Sequence, residues 1–259
     1  MEIFDLHNDF LTANINVKNY LKNNKNIFIS SSIYREDFSF LKALNLAKKL
    51  ENYTNARVCF EDICYSDLDL DKLISLNPLY CSLTYNGEND FGYGVDYNLP
   101  LKQKGIKTAK ILINKGIILD TAHLSERGIL SLLDLNARVV NSHSLLKSIY
   151  PHKRNLSDYI IKQIINSGGI IGITFVGYFL GDNPATINGV VKHIDYFLQK
   201  FGDDNISIGT DFNGTDYLPS NLKRYSHFKN LKNLLIKNGY GNSTINKLFF
   251  ENAKNYFGV

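Results

Sequence analysis

Eight short runs of β-branched and apolar residues punctuate this chain, and stretches of helical period separate most of them. The runs are Ile3–Leu6, Ile27–Ile33, Arg57–Phe60, Leu79–Leu83, Gly116–Asp120, Arg138–Asn141, Gly169–Thr174 and Asn205–Gly209. Between them, stretches such as Ile160-Ile161-Ile164-Ile165 and Val190-Val191-Ile194-Phe197-Leu198 place apolar residues three and four apart. Strands that alternate with helices pair in parallel through right-handed crossovers. Eight such units close as an α/β fold of the (β/α)8 type, a TIM barrel. A single domain over residues 1–259 is of the usual size for one. Two further amphipathic helices, near Tyr225–Lys237 and Ser243–Tyr256, complete the pattern. Gly168-Gly169 and Gly202 stand where helices end ahead of strands. The rival, an open doubly wound sheet, would need a glycine-rich phosphate turn after its first strand, and that turn is missing.

Charge and cysteine content narrow the function. The net charge is +4, and the lysines are dispersed rather than clustered with stacking aromatics, which argues against a nucleic-acid surface. No run approaches the roughly 18 apolar residues of a membrane span. Three cysteines, Cys59, Cys64 and Cys81, without Cys-x-x-Cys spacing, fit a reducing cytoplasm rather than a disulfide framework. The start, Met1-Glu2-Ile3-Phe4, has no basic or apolar leader region, and no lipid-anchor signal closes the chain.

What closes each strand is more informative. The first run ends Asp5-Leu6-His7-Asn8-Asp9, and strand alternation puts Asp5, His7 and Asp9 on one face. Others end in Glu61-Asp62, in Asp120-Thr121-Ala122-His123, in Asn141-Ser142-His143 and in Gly209-Thr210-Asp211. In a parallel barrel these ends converge on one mouth. Imidazoles with carboxylates and no thiolate suit zinc, with manganese, cobalt and iron as alternatives. His7, Asp9, Glu61, His123 and His143 make five ligands, more than one ion needs. A bridging carboxylate then favours two metals about 3.5–4 Å apart. Asp5 and Asp120 read as residues that orient ligand imidazoles or cap loops rather than bind metal. His193 lies mid-helix and reads as structural.

These stretches resemble the renal or membrane dipeptidase family of zinc metallopeptidases. The resemblance runs nearly end to end. It takes in Asp5–Asp9, Phe60-Glu61, Leu83-Thr84, Asp120–Ser125, Asn141–Ser144, Lys153–Asp158, Gly209–Gly214 and the late Glu251-Asn252-Ala253. It implies a short, bacterial-type member with a metallo-dependent hydrolase barrel that cleaves small dipeptides, L-D dipeptides included. Two zinc ions would be held, one by His7 and Asp9, the other by His123 and His143. Glu61 would bridge them together with a water or hydroxide. Arg154 would grip the substrate's terminal carboxylate, and Asp211 would protonate the leaving amine. The family also suggests a homodimer. Spacing alone leaves Arg154 readable as a surface charge beside Lys153 and Asp211 as a turn residue.

The chain departs from the family pattern in three ways. Tyr85 stands after Leu83-Thr84, where the family usually carries a substrate-binding histidine; a phenol can donate to an oxyanion but carries no charge. The chain is shorter than the family's usual length. It also lacks the secretion and anchor signals of mammalian members. The competing readings are a barrel amidohydrolase acting on cyclic amides or a metal-dependent deoxyribonuclease, which typically open with His-x-His, and a non-catalytic barrel that binds peptide or metal.

Overall fold

The computed structural model describes residues 1–34 and 39–259. Among them, eight strands form a closed barrel in sequence order. They are β1 (Ile3–Asn8), β2 (Ile27–Tyr34), β3 (Ala56–Glu61), β4 (Cys81–Ser82), β5 (Leu119–Asp120), β6 (Val139–Ser144), β7 (Ile170–Ile173) and β8 (Ile206–Ile208). Every pairing is parallel, including the seam that joins β1 to β8 through Asp5 and Ile208. Each expected run overlaps a strand. The fourth and fifth shrink to two residues of regular ladder.

The helices form where side chains satisfy their first turn and an apolar stripe faces the barrel. Ser157 caps the helix Asp158–Asn166, accepting from Ile160 N, and that helix buries Ile160, Ile161 and Ile164. Thr186 caps Ile187–Phe201 in the same way, and Val190, Val191, Ile194 and Phe197 are buried. Among the described residues no helix is long and apolar enough to cross a membrane. The C-terminal segment continues from a helix at Asn242–Asn246 through a π turn, Lys247–Glu251, to a helix at Asn252–Phe257. It closes the bottom of the barrel: Phe257 stacks on Phe4 at 5.6 Å, and Asn252 donates to Ile206 O at 2.8 Å. Cys59 is fully buried in the bottom cluster with Phe4, Leu6 and Tyr80.

Two glycines let the strands approach at the level of the mouth. A Cβ on Gly172 would lie 2.0 Å from Ser142 O, and one on Gly209 would lie 1.8 Å from the same oxygen. No side chain fits there. β6 changes register between Asn141 and Ser144, and β1 does so between Asp5 and Asn8. Such irregularities re-aim side chains, and these two bracket His143 and His7.

His193 is fully buried and satisfied on both nitrogens. Nδ1 accepts from Leu146 N at 3.2 Å, and Nε2 donates to Leu180 O at 3.3 Å. Burial lowers its pKa to about 4 from 6.5. The unfolded chain therefore binds the extra proton first as pH falls. The contribution of His193 is complete above pH 6.5 and is lost between pH 6.5 and 4. Urea unfolding should show the native chain losing up to about 3 kcal/mol more over that window than His193→Gln, at about 1.36 kcal/mol per unit. Parallel pH curves would remove the buried neutral imidazole from the account.

Candidate metal centre and active site

The C-terminal strand ends bring the expected residues to one mouth. His7 Nε2 lies 3.3 Å from Asp9 Oδ2, 3.8 Å from Glu61 Oε2 and 3.9 Å from Asp211 Oδ1. His123 Nε2 lies 2.6 Å from Glu61 Oε1 and 2.9 Å from His143 Nε2. Glu61 Oε1 is 3.8 Å from His143 Nε2, so this one carboxylate faces all three imidazoles. His7, Glu61 and His143 form one cluster able to hold an ion; His7, Asp9 and Asp211 form another.

The far side of each ring fixes its tautomer. Tyr80 OH donates to Leu6 O at 2.7 Å, so at 3.0 Å it accepts from His7 Nδ1. Ser142 Oγ donates to Asp120 Oδ2 at 2.6 Å, so at 2.8 Å it accepts from His143 Nδ1. His123 Nδ1 donates to Asn86 Oδ1 at 2.8 Å. With the protons on Nδ1, His123 and His143 present Nε2 lone pairs, and His7 does so whenever its Nε2 carries no proton. The lone pairs of His123 and His143 then face each other at 2.9 Å, and that of His123 faces a Glu61 carboxylate oxygen at 2.6 Å. A shared cation reconciles that arrangement. Metal–nitrogen bonds of about 2.0–2.1 Å put two ligand nitrogens on one ion about 3 Å apart. The donor set therefore fits divalent metal.

Electrostatics point the same way. Burial and the Arg154 charge lower His123 to about 4 and hold His143 well below its ordinary value. Both rings are therefore neutral and ready to ligate. At His7 burial works downward, but Asp9 and Glu61 outweigh it and raise the imidazole to about 10. Either a proton or a metal on Nε2 satisfies those carboxylates. Burial opposes ionisation of Glu61, yet His123 and His7 hold it below the usual carboxylate range. Asp211 moves the other way: burial raises it and Asp9 and Glu61 add to the rise, against the pull of His7, leaving it at about 8.

Arg154 completes the cavity. It is 3% exposed, its Nη2 lies 3.1 Å from His123 Nε2 and donates to His143 O at 3.3 Å, and Nε and Nη1 have no hydrogen-bond partner among the described residues. A buried guanidinium with free donors is unfavourable unless an anion completes it. Asp9, Glu61, Tyr85, the three aromatic or apolar residues Val176, Tyr178 and Phe179, and Asp211 line the same space, about 310 Å³. Tyr85 stacks on His123 with centroids 4.2 Å apart. Its phenol is held neutral, since burial and the nearby Glu61 both push its pKa upward.

Asp211 sits at φ +60 and Asn213 at φ +69, backbone that costs a non-glycine residue free energy and recurs at functional turns. Asp5 holds this turn. Its carboxylate accepts from Thr210 N at 2.8 Å, Thr210 Oγ1 at 2.7 Å, Tyr225 OH at 2.5 Å and His7 N at 3.2 Å. Of its two expected roles Asp5 takes the loop-capping one, holding the β8 turn and the His7 backbone. Asp120 acts on His143 through Ser142. Tyr80, Asn86 and Ser142 were not foreseen as partners of the histidines; Ser142, adjacent to His143, carried the one local signal. Ser142→Ala should cost about 10–100-fold in metal affinity with the fold intact, read by metal titration beside circular dichroism. Unchanged affinity would make the Ser142–Asp120 pair mere packing.

Residues 61–256 match the family model described as Membrane dipeptidase (Peptidase family M19). The chain belongs to the membrane dipeptidase family. His7 and Asp9 lie before the matched segment, so their place in this membrane dipeptidase relative rests on the geometry above. The chain is 29% identical over 182 residues to a protein in the pqqA 5′ region of Klebsiella pneumoniae, covering 65% of this chain and 67% of that one. It is 29% identical over 141 residues to dipeptidase tcpJ of Claviceps purpurea, covering 53% of this chain and 33% of that one. The chain therefore spans about a third of the length of that fungal relative. A metallo peptidase from Rhodobacter sphaeroides, solved with a phosphinate mimic of the dipeptide L-Ala-D-Ala, superposes with a TM-score of 0.84. It shares 19% identity and covers 100% of this chain and 99% of its own. That likeness shows a common fold.

Proposed function

We propose that this chain hydrolyses the peptide bond of small dipeptides, L-D dipeptides among them, with two zinc ions at the mouth of the barrel. The observation that carries the reading is Arg154, a buried guanidinium whose Nε and Nη1 have no partner among the described residues, in the same cavity as the imidazoles of His123 and His143 and the Glu61 carboxylate. Its planar donors suit a carboxylate. Bound divalent ions would supply Lewis acidity towards the substrate carbonyl and an acidified water.

The chain's own residues divide the rest of the work. His7 and Asp9 would hold one ion, His123 and His143 the other, and Glu61 would reach both. Arg154 fixes the carboxyl end of the substrate. Asp211, across the cavity, is placed to give a proton to the leaving amine nitrogen. Tyr80, Asn86 and Ser142 keep the rings in one tautomer. Only three cysteines, without Cys-x-x-Cys spacing, support a cytoplasmic setting, and a homodimer follows from the family resemblance.

Amine release from L-L and L-D dipeptides, with zinc added and after chelation, tests the reading. Metal-dependent turnover is expected. No turnover of any dipeptide by a chain that holds two metals would sink the substrate claim.

A further inference from the structure

We propose that Tyr34 and Tyr85 form an aromatic wall that selects the side chain of the substrate's amino-side residue, favouring large apolar and aromatic side chains there. This rests on the dipeptidase reading above and names the substrate class of the same site.

Both rings line the reaction cavity. Their centroids lie 4.5 Å apart, and Tyr85 continues the row onto His123 at 4.2 Å with an interplanar angle of 24°. The row Tyr34–Tyr85–His123 therefore runs from the rim of the cavity down to the metal centre. The contacts that define the place of Tyr85 are made by its ring. A ring held by stacking is a rigid apolar surface, and it gives a further aromatic ring a partner of favourable geometry.

The opposite wall belongs to the other residue of the substrate. Val176, Tyr178 and Phe179 line it, and the Arg154 guanidinium lies over the Phe179 ring at 5.5 Å. A residue whose carboxylate meets Arg154 therefore lies beside Phe179. Tyr34 is held on the other flank. Its N–H donates to Thr12 Oγ1 at 3.1 Å, three residues past Asp9, and its register partner on β3 is Glu61. The side chain nearest this flank is that of the amino-side residue.

The test uses the metal-loaded full chain and three substrates, Phe-Ala, Ala-Phe and Ala-Ala. Calorimetry gives Kd for their phosphinate mimics, and steady-state assays give kcat/KM. Phe-Ala should exceed Ala-Ala by about tenfold in both, with no such gain for Ala-Phe. Tyr85→Ala and Tyr34→Ala should each cut that preference to about twofold or less, whereas Tyr85→Phe should keep it. Tyr34 stands one ring away from His123, so Tyr34→Ala keeps the test sound if Tyr85→Ala disturbs the ligand. Equal affinities in the native chain, a preference for Ala-Phe, or a preference that survives both alanine variants would overturn the wall. So would Tyr85→Phe losing turnover on all three substrates alike, which would make the hydroxyl the working group. Preferential binding of the Phe-Ala mimic without turnover of any dipeptide would end the dipeptidase reading and leave the wall standing. Binding of none of the mimics would overturn the wall itself.

Discussion

Glu61→Gln should lower dipeptide turnover by at least about a thousandfold, as expected for one member of a set of groups that act as a unit. The substitution keeps the side chain's shape and removes its charge. In the native chain that one carboxylate lies 2.6 Å from His123 Nε2 and 3.8 Å from both His7 Nε2 and His143 Nε2. It is therefore the residue placed to balance positive charge on both sides of the centre. A neutral amide offers a weaker oxygen to a cation and turns an N–H₂ towards lone pairs. Metal content, measured on the same preparation by plasma emission spectroscopy, should fall from two ions per chain to one or none. Full turnover with two ions retained would remove Glu61 from the centre and require the two clusters around His7 to be reassigned.

Arg154→Ala carries the second largest expected effect, and its signature differs. Truncating one partner of a buried charged pair costs about 2–5 kcal/mol. Here the loss should appear as a rise in KM of roughly 30- to 5000-fold, with a smaller change in kcat, because the carboxylate is gripped equally in ground and transition states. Arg154→Lys should recover only part of it, since a point charge cannot reproduce the planar fork. A substrate control makes the test specific. The native chain should hydrolyse a dipeptide much faster than its C-terminal carboxamide, and Arg154→Ala should treat the two alike. If the native chain does not distinguish them, the free donors of Arg154 serve something other than a substrate carboxylate.

The architecture was legible because its signals are local. A run of apolar residues with a polar end is written in consecutive positions, and eight of them in alternation with amphipathic stretches leave few ways to close. The strand ends were legible for the same reason: His7, Glu61, His123, His143 and Asp211 each stand within three residues of the end of such a run. The extent of regular ladder was not. Leu79–Leu83 and Gly116–Asp120 are apolar along their length, but only Cys81–Ser82 and Leu119–Asp120 pair regularly. Burial and pairing are separate demands that the same composition meets. The groups behind the imidazoles were hidden because they are tertiary. Tyr80 is 73 positions from His7 and Asn86 is 37 from His123, so no spacing rule joins them. Asp5 was open to two roles, orienting an imidazole or capping a loop, and what decides between them is its bond to Thr210, 205 positions away, which no strand alternation reveals.

That last contact ties catalysis to the completion of the ring. The seam between first and last strands is narrow, one register pair at Asp5 and Ile208, and the Asp5 carboxylate spans it to Thr210 and Tyr225. Asp211 N in turn donates to His7 O across the same seam. Asp211 and His7, the proposed proton donor and the proposed metal ligand of the first strand, therefore come into reach of each other only when the circle is shut. A chain with the seam open, whether still assembling or nicked in its last third, would keep most of its strands and yet be inert. Closure acts as a safety catch: the hydrolytic machinery is armed by the same hydrogen bonds that finish the fold.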